Sequence, residues 1–170
     1  MRPWACAVAA YLVLAAPVRA QPMAVEGLSE SELRREMAQV QAAHRADVPL
    51  DAAARFRRLD GAALRALLSG QRWRFAMMHL EARMEFMPDG QLRMTYLANP
   101  AQGMPAAVRD GTWQVEGDRL CLTLGEGGEC TAGYGFGHLV LLGAVDAASP
   151  AGRERSLIGS LSHPEPIATP

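Results

Sequence analysis

Trp113-Gln114-Val115-Glu116-Gly117-Asp118-Arg119-Leu120-Cys121-Leu122-Thr123-Leu124 is the stretch that decides the fold. Trp113 and Val115 alternate with Gln114 and Glu116, and after Glu116-Gly117-Asp118 the residues Leu120, Leu122 and Leu124 alternate with Cys121 and Thr123. Two period-two runs joined by a tight Gly-containing turn read as an antiparallel hairpin with one buried face. Gly125-Glu126-Gly127-Gly128 turns the chain again and brings Cys130 back beside Cys121. The centre of the chain is therefore an antiparallel meander.

Upstream, the alternation extends from Arg72. Ala76, Met78, Leu80, Ala82, Met84 and Phe86 point one way and His79, Glu81, Arg83 and Glu85 the other, the pattern of one long, half-buried or bent strand. Pro88-Asp89-Gly90 is a turn, and Leu92, Met94 and Tyr96 continue the inward face on the way back. Residues 99–111 hold Pro100, Gly103, Pro105 and Gly111 and read as a long loop, a candidate functional rim.

Before Arg72 the period is helical. Ser29 with Glu32 three residues on forms a capping box, and Leu28 can staple against Leu33. Leu33, Met37, Val40 and His44 give one apolar stripe, ending near Asp47 ahead of Pro49. A second helical stretch is expected from Asp51, with Asp60 capping a continuation that buries Leu64, Leu67 and Leu68 before Gly70. Downstream, Tyr134-Gly135-Phe136-Gly137 marks strand bends and residues 138–145 form an apolar strand. After Ala147 only a weak last strand (residues 156–161) and a proline-rich tail are expected.

The first twenty residues read as a secretory leader: Arg2, an apolar run over residues 4–16, and Val18-Arg19-Ala20 as cleavage site. The run is short for a membrane span, and no transmembrane segment is expected elsewhere. Cleavage also removes Cys6, leaving Cys121 and Cys130 as the thiols of an exported, periplasmic or secreted, chain, so a Cys121–Cys130 disulfide is expected. The expected organisation is a signal peptide at 1–20, an N-terminal helical segment at 21–70, an antiparallel β domain at 71–147, and a weak strand with flexible tail at 148–170.

Charge excludes one class of partner. The whole chain carries −1, and without Arg2 and Arg19 fifteen arginines face 18 acidic residues, a balance of −3. No nucleic-acid signature exists. Arg55, Arg57, Arg58, Arg65, Arg72 and Arg74 nevertheless cluster in sequence, a candidate patch for an anionic partner such as an envelope component.

Site chemistry is sparse. No lysine and no Gly-x-Ser-x-Gly turn is present, and nothing reads as a nucleophile with its base. Glu81 and Glu85 share a strand face with Arg83, a solvated arrangement more than a catalytic carboxylate pair. Met77, Met78, His79, Met84, Met87, Met94 and Met104 suggest soft-metal ligands, yet Met78, Met84 and Met94 fall on the apolar face, where methionine fills cores. No cofactor or metal is therefore assigned. Trp73, Phe75, Tyr96, Trp113, Tyr134 and Phe136 can line a barrel interior, and five of them, Trp73, Tyr96, Trp113, Tyr134 and Phe136, are the candidate small-ligand residues.

The opening Leu67-Leu68-Ser69-Gly70, the turn Pro88-Asp89-Gly90, and Gly111-Thr112-Trp113-Gln114-Val115-Glu116-Gly117-Asp118-Arg119-Leu120-Cys121 followed by Cys130 resemble a pattern in small exported bacterial proteins of unknown function. The resemblance spans residues 62–130 and implies a lipocalin-like barrel or half-barrel without catalytic residues. The expectation is an α+β chain, mainly antiparallel β: a helical segment over residues 29–69, then six to eight strands curled toward a small barrel. The function expected is binding of a small ligand without catalysis, with a structural or interaction role in the envelope as the alternative.

Overall fold

A computed structural model describes residues 27–77, 80–146 and 154–168. The leader, Met78, His79 and Ala147 lie outside them. The elements are helix α1 (Glu30–Ala46), a two-residue strand β1 (Arg57–Arg58), helix α2 (Gly61–Leu68) and strands β2 (Gln71–Met77), β3 (Leu80–Phe86), β4 (Gln91–Tyr96), β5 (Ala107–Glu116), β6 (Arg119–Leu124), β7 (Gly127–Phe136), β8 (Leu139–Asp146) and β9 (Glu154–Pro166). From β2 to β9 each strand pairs antiparallel with the next, and β9 pairs back onto β2. Eight strands thus close into an up-and-down barrel, which leaves no long unpaired edge.

The central hairpins form as their alternation requires. Trp113 faces Leu122 and Val115 faces Leu120, all inward, while Cys121 directly faces Cys130 on the outside and bonds to it. The sealed end of the barrel holds Trp73, Phe86, Leu92, Trp113, Val115 and Leu120, with Phe86 and Trp113 edge to face at 5.5 Å. Leu64 and Leu68 of α2, both fully buried, stop this end like a plug. Asp60 caps α2 by accepting from Ala63 N–H at 2.7 Å. The plug is tied to the barrel rim by Gly61 N–H donating to Asp118 at 3.0 Å and by Arg65 donating to the Val115 carbonyl at 2.8 Å.

Helix α1 packs on the outside. Its capping box is complete, with Ser29 N–H donating to the Glu32 carboxylate at 2.8 Å and Glu32 N–H donating to the Ser29 hydroxyl at 3.3 Å. Leu33, Val40 and His44 are its buried stripe and meet Phe56, Tyr134, Leu139 and Leu141 in a second apolar cluster. Asp47 ends the helix in the left-handed conformation and pairs with Arg155 of β9.

Four expectations are corrected. The run from Arg72 is two antiparallel strands, β2 ending at Met77 and β3 starting at Leu80, and the inward parity passes from Trp73 and Phe75 on β2 to Ala82, Met84 and Phe86 on β3, so Ala76 is not on the inner face. Residues 51–59 are not helical; they fold under α1, bury Phe56, and add β1 to β7 where β6 has ended. Tyr134 and Phe136 lie outside the barrel, because Gly133 and Gly135 take the inward positions of β7 against Leu64 and Leu59. The tail is a strand: β9 runs through Pro166 and closes the barrel on β2.

Candidate functional site

Strand β7 is the thin wall of the barrel. Its inward positions, fixed by the register with β6 and β8, are Gly127, Glu129, Thr131, Gly133 and Gly135. At the sealed end the missing side-chain volume is occupied by the helix plug: a Cβ on Gly133 would stand 2.8 Å from Leu64 Cδ2, and one on Gly135 3.0 Å from Leu59 Cδ2. At the other end nothing lies within 4 Å of where a Cβ of Gly127 would be. The space left there is a cavity of about 360 Å³. Phe75, Met84, Met94, Leu122 and Leu142 border it toward the packed core, and Met77, Leu80, Tyr96, Leu124 and Ile158 border it toward the end from which residues 97–106 and 125–126 emerge. Its size falls at the small end of ordinary ligand sites.

Polar groups in the wall are few. Thr131 donates to the Leu120 carbonyl at 3.4 Å, and Glu129 is engaged within the chain. Above Tyr96 stands Arg109, its guanidinium carbon 5.7 Å from the ring centroid. Arg109 pairs with Met94 across β4 and β5 and so shares the inward register of that wall residue, at the exposed rim. At this distance the ring face attracts the cation without neutralising it.

Of the five aromatic ligand candidates, Tyr96 alone borders the cavity among the described residues. Trp73 and Trp113 belong to the packed half, where Trp113 Nε1 donates to the Met87 carbonyl at 2.9 Å and Trp73 Nε1 is buried without a partner. Tyr134 and Phe136 serve the packing of α1 and of Phe56. Met77 and Arg109 are not among the expected ligand residues: an unbroken strand puts Met77 opposite Ala76 and Met78, and Arg109 falls within the expected loop at 99–111. Of the expected rim loop, residues 99–111, the first part contains a short 3₁₀ turn (Pro100–Gln102) and residues 107–111 belong to β5.

The six arginines do not form one patch. Arg72 and Arg74 pair with Glu85 and Glu81 at 2.6 and 2.7 Å on the outer face of β2 and β3, which also accounts for the two glutamates as structural ion pairs. Arg57 donates to the carbonyls of Ala52 and Phe56, Arg55 to Gly27, and Arg65 to Val115 on the plug. Strand β2, which carries Arg72 and Arg74, and strand β7, to which β1 with Arg57 and Arg58 is paired, are three steps apart round the barrel.

The groups with displaced ionisation lie away from the cavity. His44 is buried between α1 and the barrel, its Nε2 3.0 Å from the Ala144 carbonyl and its Nδ1 2.9 Å from the Tyr134 hydroxyl. A carbonyl only accepts, so Nε2 carries the proton and Nδ1 accepts from Tyr134. Burial holds His44 below the usual imidazole range, with Arg155 and Arg58 acting in the same direction, and burial pushes the Tyr134 phenol up. Glu116 lies beside Cys121 and Cys130, within 4.8 Å, but sulfurs joined in a disulfide lack the thiolate charge that metal binding uses. Of the methionines, Met84 and Met94 pair across β3 and β4 and, with Met77 of β2, belong to the apolar lining of the cavity.

Among the described residues no helix is long and apolar enough to cross a membrane. Comparison of the chain with protein-family models, with curated proteins and with solved structures gives no match, so its own geometry carries the functional argument.

Proposed function

We propose that the chain is an exported binding protein of lipocalin-like build that holds one small, mostly apolar molecule inside the barrel and performs no chemistry on it. The observation that carries this reading is the cavity of about 360 Å³ at the end of the barrel away from the plug, where the inward positions of β7 are Gly127, Glu129 and Thr131, in a barrel whose other half is filled by its own side chains and a helix plug. An empty apolar space of that size forfeits packing, and a ligand restores it. The Cys121–Cys130 bond fits an oxidising compartment.

Native mass spectra of protein isolated gently from its compartment test the reading. A retained mass that disappears in Met94→Trp, which places an indole in the cavity, is the expected result. A bare polypeptide that also takes up neither decanol nor decanoate on titration refutes it.

A further inference from the structure

We propose that the ligand is a single-chain amphiphile with an anionic oxyacid head, the chain in the cavity and the head on Arg109. This inference rests on the binding reading above and adds the ligand class.

Three observations converge. The wall between Phe75 and Ile158 is apolar except for Glu129 and Thr131, and both of those are already engaged. At interior packing density a space of about 360 Å³ takes a chain of roughly a dozen carbon atoms. Arg109 is the cation on the inward register of this wall, through its pairing with Met94, and it stands over Tyr96 at the rim. Its neighbour Arg93 shows the contrast: one register step away, on the outer face, it is paired with Asp110 at 2.9 Å. Among the described residues Arg109 has no such carboxylate. The ring of Tyr96 lies within cation–π reach of the guanidinium, 5.7 Å from its carbon, which favours the cation at the rim without neutralising it. The guanidinium fork suits two oxygens of a carboxylate or phosphate monoester.

Calorimetric titration of the purified chain with matched ten-carbon probes at pH 8, below their micelle concentrations, tests the assignment. Decanoate should bind at least about tenfold tighter than decanol, and decyltrimethylammonium weakest. Decanoate against decyl phosphate distinguishes the two head-group sources. Arg109→Gln should bring decanoate down to the affinity of decanol and leave decanol within about twofold. Arg83→Gln, an equal charge change at an exposed outer-face position of β3, should leave the tenfold preference in place. Decanol binding as well as decanoate, or a preference that survives Arg109→Gln, overturns the head-group assignment while the barrel reading stands. Failure of every probe to bind overturns both.

Discussion

Trp73→Phe and Trp113→Phe delete the same atoms from two buried indoles whose N–H groups are in opposite situations. Trp113 Nε1 donates to the Met87 carbonyl at 2.9 Å, while Trp73 Nε1 is fully buried with no partner. Shrinking either indole to a phenyl ring forfeits about 1–2 kcal/mol of burial and packing. At Trp73 the substitution also removes an orphan donor whose desolvation costs about 1–3 kcal/mol, so the two effects nearly cancel. At Trp113 it adds the loss of a hydrogen bond worth about 1 kcal/mol. The Met87 carbonyl keeps the Gly90 N–H at 3.0 Å, so no second penalty arises there.

Trp113→Phe should therefore be less stable than Trp73→Phe by about 2–4 kcal/mol. Urea unfolding followed by far-ultraviolet circular dichroism measures this without depending on the tryptophans, and equal slopes against urea would show that only stability has changed. Trp73→Phe losing as much as Trp113→Phe, at unchanged slope, would refute the reasoning, because it would mean that the Trp73 N–H is satisfied. Trp73 does not border the cavity, so its replacement should leave binding of the ten-carbon probes intact.

Gly61→Ala should destabilise by about 2–4 kcal/mol in the same assay although alanine favours helices, since a Cβ there would stand 2.1 Å from the Gly117 carbonyl oxygen and lift the plug; a neutral or stabilising result contradicts the close docking of α2. Cys121→Ser with Cys130→Ser should lower stability by about 2–3 kcal/mol, the chain-entropy value for a loop this short, and reductant should have no further effect on the double variant. His44 is held below its ordinary value of 6.5, so the unfolded chain binds the extra proton first and stability falls as pH drops below that value. Between about pH 6.5 and 5 the wild type should lose stability more steeply than His44→Gln, and parallel curves would count against the buried neutral imidazole.

Where a residue's role depends on near neighbours in sequence, the chain was readable. The Ser29 and Glu32 capping box, the Asp60 cap and the facing of Cys121 and Cys130 across two glycine turns all appear where the spacing puts them. The failures are long-range. Met78-His79 contains none of the residues that announce a turn, so two strands of unequal parity looked like one. Asp51-Ala52-Ala53-Ala54 has helix propensity, but Phe56 gains more by burial beneath α1, and tertiary packing overrides propensity. Pro164 and Pro166 argued against a strand. They are tolerated because β8 pairs with β9 only as far as Ser162, leaving the last residues of β9 bonded on the β2 side alone.

The candidate site was hidden for a related reason. Aromatic residues read as the mark of a ligand pocket, but in a barrel this small large side chains fill the interior, and a cavity appears where inward positions are small. Gly127 is such a position at the open end, while Gly133 and Gly135 admit the plug at the other, and their parity follows only from the register with β6 and β8. Once Gly133 and Gly135 face inward, Tyr134 and Phe136 must face α1, and one strand then accounts for three features. Its outer face docks the helix, its sealed end admits Leu59 and Leu64, and its other end leaves the space beneath Tyr96 and Arg109. A methyl group added at Gly127 would meet nothing within 4 Å and should change only what the cavity can hold, whereas one added at Gly133 would press on the plug.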